Sequence, residues 1–200
     1  VLLLGSPLPR RQVIALPLVP LSACAPTPAT PSVSLPPDAV QGAGDPTWAA
    51  IITTANVFAA PGGVAGRPAL AARAAAQLEY LAVEVAKGPR WVGFSPLVAL
   101  EFRKAQPELR AALGIDPAAP PQAVIDSLYA ASRALAAGDR AAVERILGPP
   151  LYPAGATATL QRLAAMPFLP HANYATTLAL REMNRLDEDG QRGLFGGFRF

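Results

Sequence analysis

The chain has 200 residues, a formal net charge of +3, 52% hydrophobic residues, 23 prolines and a single cysteine. That length suits one folded domain with extensions. The lone cysteine excludes an internal disulfide, and 17 basic against 14 acidic residues leave no charge excess that would argue for nucleic acid.

In chain order, Arg10 and Arg11 come first and are followed by an apolar stretch from Val13 to Ala23. The stretch is shorter than the roughly 20 residues a membrane-spanning helix needs, and Pro17 and Pro20 would disturb such a helix further. A positive region, a short apolar region and then small residues is the order of an export signal. The residues Leu21-Ser22-Ala23-Cys24 that close it resemble the lipobox of a bacterial lipoprotein precursor: Leu three positions before the cysteine, a small residue next, and Ala just before it. The resemblance implies that residues 1–23 are a signal peptide removed on export and that Cys24 becomes a lipidated amino terminus. It also implies two or three acyl chains on that cysteine. One chain, at about 0.8 kcal/mol per buried CH₂, binds a membrane only marginally, whereas two hold stably. Arg10-Arg11-Gln12-Val13-Ile14 is similar to a twin-arginine export signal, which implies passage of an already folded protein. Ala25, where some lipoproteins carry an aspartate, resembles those sorted onward to the outer membrane. The implied address is the cell envelope, anchored by lipid and facing the periplasm. Loss of residues 1–23 also removes two arginines, leaving 15 basic against 14 acidic residues.

Residues 24–45 are rich in Pro, Thr, Ser and Ala and read as a tether between the anchor and the body. A polyproline II chain rises about 3.1 Å per residue, so about twenty residues reach up to roughly 60 Å. Residues 46–190 read as the folded body, and the expected class is all-α: an irregular antiparallel bundle of about six to seven helices. The first helix is expected around 46–60 with Trp48, Ile52 and Ala55. Between Pro68 and Lys87, Leu70, Ala74, Leu78, Leu81 and Val85 form an apolar stripe, with Arg73, Gln77, Glu84 and Lys87 on the opposite face. Ser95-Pro96 is a helix start, Pro107 ends or kinks that helix, and Gly114 stops it. Val124, Leu128, Ala131 and Leu135 make the next stripe, Gly138 ends it, and Asp139 caps a short helix carrying Val143, Ile146 and Leu147. Residues 122–147 therefore predict an αα-hairpin. Two more helices are expected around 157–166 and 172–187, before a Gly/Phe-rich tail at 191–200. No alternating strand pattern of useful length occurs. Tyr129 to Ala142 resembles one tetratricopeptide half-turn. A solenoid would repeat it 34 residues away, but Lys104 and Ala172 stand where Gly138 would recur, so an array is not expected.

Residues that would carry chemistry are few. His171 is the one histidine, at an expected helix start, and it has no second histidine at helical spacing or Cys ligand to complete a metal site. Ser95 lacks the G-x-S-x-G setting of a nucleophile elbow. Asp187-Glu188-Asp189-Gly190 puts Arg185 where a calcium loop needs its first aspartate. Neither a catalytic set, a metal site nor a cofactor is expected. The loop Lys87–Phe94 combines charge and aromatics, and Arg90, Trp91 and Phe94 are the candidate partner-binding residues, unless the rings fold inward to staple a helix connection. The expected role is a lipid-anchored binding or assembly module with a protein partner in the envelope. The alternatives are a helical carrier of an apolar ligand such as a lipid or quinone, which needs a closed apolar cavity, and a hydrolase using His171, which needs an acidic or hydroxyl group in hydrogen-bond reach of the ring.

Overall fold

A computed structural model of the chain describes residues 32–39, 44–87, 91 and 93–195, with side chains to residue 189. The expected signal residues, Cys24, Arg90 and residues 196–200 lie outside these. The described residues form an all-α bundle without strands: α1 (Pro46–Ala59), α2 (Pro68–Lys87), α3 (Pro96–Leu113), α4 (Pro121–Ala136), α5 (Arg140–Ile146), α6 (Gly155–Ala164) and α7 (Pro170–Phe195). Short 3-10 turns occur at Pro37–Ala39 and Pro61–Val64.

Local chemistry sets most of the helix ends. Asp45 accepts from the N–H groups of Thr47 at 2.9 Å and Trp48 at 3.4 Å, and Pro46 takes the first position of α1, where no N–H is needed. Ser95 and Pro96 open α3 in the same way, and Asp139 accepts from Ala142 at 2.9 Å to open α5. Gly114 closes α3 in the left-handed region at φ 69°, and Ile115 N–H reaches back to the Arg110 carbonyl at 2.9 Å. A Cβ at Gly114 would meet only the end of the Arg162 side chain, which can swing aside, so it is the left-handed backbone that calls for glycine here.

Two expected helix ends are absent. Pro107 lies inside an unbroken α3. It is exposed, so the carbonyl it leaves without a partner faces water. α7 begins before residue 172 and runs past 187, through Gly190 and Gly193, so the expected tail starts inside a helix. Its acidic stretch is supported by Arg185, which pairs with Glu182 at 2.9 Å and Asp189 at 3.2 Å across one turn of helix.

The largest departure concerns α2. The expected stripe assumed one buried side, whereas α2 runs through the middle of the bundle, in contact with α1, α3, α4 and α6. Ala71, Ala72, Ala74, Ala75 and Ala76 are wholly buried, and small side chains let neighbouring helices approach. Gln77, assigned to the polar face, is buried under α4, while Leu70 is exposed. In α1 the same shift exposes Ile52 and buries Ile51 instead.

Part of the expected tether lies on the body. Val33, Leu35 and the buried Ala39 pack against the core, and Asp38 pairs with Arg133 on α4. Residues 32–39 therefore form a strap across α2 and α4, because this stretch supplies apolar side chains and an acid opposite two arginines.

Candidate functional site

Trp91 and Phe94, the candidate partner residues, face inward. They are 7% and 8% exposed, and their rings meet edge to face with centroids 4.7 Å apart. The connection around them is pinned to α7: Glu182 accepts from Ser95 N–H at 2.9 Å, and Arg185 donates to the Gly93 carbonyl at 2.7 Å. The rings thus join α2 to α3, which is the inward-folded alternative the sequence left open for these two residues.

His171 sits at the first turn of α7 with half its side chain exposed. Its Nδ1 is 3.7 Å from Glu101 Oε2, too long for a hydrogen bond. Glu101 is held below the usual carboxylate range by its bond to Lys104, with His171 adding to the effect. Glu108 is spent on the helix end, accepting from the N–H groups of His171 at 3.3 Å and Ala172 at 2.9 Å. These acids cap and neutralise, and neither orients the imidazole as a base would require. Among the described residues no group of His, Cys, Asp and Glu side chains could hold a metal ion. Clefts of about 580 Å³ beside the strap and about 430 Å³ between α4, α5 and α6 are both open to solvent, unlike a closed ligand cavity.

A buried network centres on Glu79 of α2 and Arg110 of α3. Glu79 accepts from Arg110 Nε at 2.7 Å, Arg110 Nη2 at 2.9 Å and Gln106 at 2.7 Å. Arg110 Nη1 donates to the carbonyls of Pro117 at 3.0 Å and Ala119 at 2.9 Å. Every strong contact is made within the fold, so this network ties α2, α3 and the following turn together and leaves nothing for a ligand.

The strap face is different. Two pairs at helical spacing oppose one another there: Arg73 and Gln77 on α2, and Tyr129 and Arg133 on α4. Arg133 Nη1 reaches both Asp38 oxygens, at 2.9 and 2.8 Å, and holds that carboxyl below its usual range, with Arg73 assisting. Arg73 Nη2 donates to the carbonyls of Asp38 at 3.2 Å and Ala39 at 2.5 Å, and its guanidinium lies 6.0 Å from the Tyr129 ring centre. Burial pushes the Tyr129 hydroxyl upward in pKa, against the nearby Gln77 and Arg73. No family model, curated protein or solved structure matches the chain. The candidate site therefore stands on this geometry alone.

Sequence reasoning placed Arg73 and Gln77 on the polar face of their helix but could not say what covers it. Gln122, Arg133 and Asp38 had no signal of their own. Asp38 sits in Pro-Pro-Asp, a composition that is the same for a free chain and a docked one.

Proposed function

We propose that the chain is a lipid-anchored protein of the bacterial cell envelope whose helical body serves as a binding or assembly module. The observation that carries this reading is Leu21-Ser22-Ala23-Cys24 at the end of a short apolar stretch behind Arg10 and Arg11. In this reading residues 1–23 are removed and Cys24 carries the acyl chains. Ala25 favours the outer membrane, with the body facing the periplasm. The binding role draws support from the two-arginine face of α2 and α4, which engages the turn Pro37–Ala39 of the proline-rich segment. The catalytic alternative lacks a comparable constellation around His171.

The test is mass spectrometry of the protein extracted from membranes of an expressing bacterium. The expected product begins at Cys24 and carries a thioether-linked diacylglycerol, and Cys24→Ser abolishes membrane retention. An uncleaved chain with a free thiol at position 24 would end the envelope assignment.

A further inference from the structure

Residues 32–39 are held by apolar packing of Val33, Leu35 and Ala39 and by polar contacts, most of which read the backbone. The Gln122 amide pairs twice with Ser34, accepting from its N–H at 2.8 Å and donating to its carbonyl at 3.1 Å. One extended strand offers another the same pair of bonds. Arg73 adds two further carbonyls, those of Asp38 and Ala39. The only side chain of the segment read by charge is Asp38, through Arg133. Pro36-Pro37 lies between these fixed points and restricts the chain before it docks, which lowers the entropy lost on binding.

Two buried polar groups lie beside the strap contacts. The Gln77 carbonyl oxygen and the Tyr129 hydroxyl make no hydrogen bond of good geometry among the described residues, although the Gln77 and Arg73 side chains lie close enough to the hydroxyl to oppose the rise in its pKa. Both stand beside Arg73, one a turn along α2 and the other under its guanidinium. Unpaired buried polar atoms are uncommon in native folds. An open cleft of about 580 Å³ adjoins the strap, bordered by Val33, Leu35, Asp45, Thr47 and Tyr80.

We propose that the α2–α4 face is a docking groove for a proline-containing peptide that carries an acidic side chain in a short turn, and that residues 32–39 occupy it as a displaceable self-ligand. The proposal names the partner chemistry of the binding module put forward above and rests on that part of the reading, not on the lipid anchor. An incoming segment presents its backbone to Gln122 and Arg73 and its carboxylate to Arg133.

The test is fluorescence anisotropy with a labelled synthetic peptide of residues 32–39, titrated with three full-length chains in the absence of membrane. Asp38→Lys sets its own strap against Arg73 and Arg133 and is expected to bind the peptide at least about tenfold more tightly than the wild type. Asp38→Lys with Arg133→Glu reverses the pair, restores the strap and is expected to reject the peptide. Circular dichroism reports whether each variant is folded. If Asp38→Lys is not, the wild-type chain decides, because it must prefer the native peptide over one with lysine in place of the aspartate. Absence of saturable binding to folded Asp38→Lys chain, or equal affinity for the two peptides, overturns the proposal. So does a concentration-dependent dimer of the wild type that the peptide dissolves, which would assign the groove to a second copy. Failure of lipidation would leave all of these results unchanged.

Discussion

The bundle contains two arginine–carboxylate pairs with the same chemistry and opposite settings. Glu79 and Arg110 have side chains 0% and 7% exposed, and both are saturated by further bonds inside the fold. Asp38 and Arg133 are 53% and 52% exposed and join a surface strap to α4. In the first pair, desolvated charge makes breakage expensive and therefore makes the geometry permanent. In the second, water and salt compete with the contact, which makes it reversible. Burial, not pairing, separates a structural tie from a latch.

Breaking the buried pair has the largest expected effect. Arg110→Ala strands a carboxylate in the core and is expected to cost about 3–5 kcal/mol in denaturant unfolding. Glu79→Leu combined with Arg110→Met removes both charges and should recover most of that loss. A double variant as unstable as Arg110→Ala would transfer the importance from the pair to the Pro117 and Ala119 carbonyls.

Alkaline pH strikes the core next. Burial pushes the Tyr152 hydroxyl up from 10.0 to about 12, against its bond to Ser127, and burial raises Tyr129 as well. The unfolded chain ionises first above pH 10, so stability falls as pH rises from about 10 towards 12, by on the order of 2 kcal/mol for Tyr152. Tyr152→Phe should reduce this slope, and urea titrations at stepped pH read it.

The strap should respond least in global stability. Arg133→Ala is expected to cost at most about 1 kcal/mol, and the difference from wild type should shrink in high salt. Acid acts on the same pair. Because Asp38 has a lowered folded pKa, its contribution is complete above the ordinary carboxylate range and is lost as pH falls through the depressed value. Loss of the 32–39 resonances at low pH, with the helical signal retained, is the expected NMR result.

The helix starts were legible because caps act within a few residues. Ser95-Pro96 and Asp139 each needed only their own neighbourhood, and the hairpin of α4 and α5 followed from Gly138 and Asp139 between two stripes. What depended on distant chain was not legible. Periodicity gave α2 one buried side, and only the presence of α4 turned Gln77 inward. Glu108 supplies the acceptor for the first N–H groups of α7 from 63 residues away. Asp38 and Arg133 are 95 residues apart, and neither carries a local mark of its partner. Likewise an aromatic-rich connection such as Trp91 to Phe94 reads the same whether its rings anchor a partner or the fold.

Native-state hydrogen exchange on the full chain tests most directly whether the strap opens while the bundle stays folded. The Ala39 amide, bonded to the Pro36 carbonyl at 2.9 Å, and the buried α2 amides around Leu81 report the two regions in one sample. The expected result is exchange at Ala39 far faster than at Leu81, with Arg133→Ala accelerating Ala39 alone. Exchange of both at one common rate, slowed or hastened together by the substitution, would make the strap an inseparable part of the core and contradict the account.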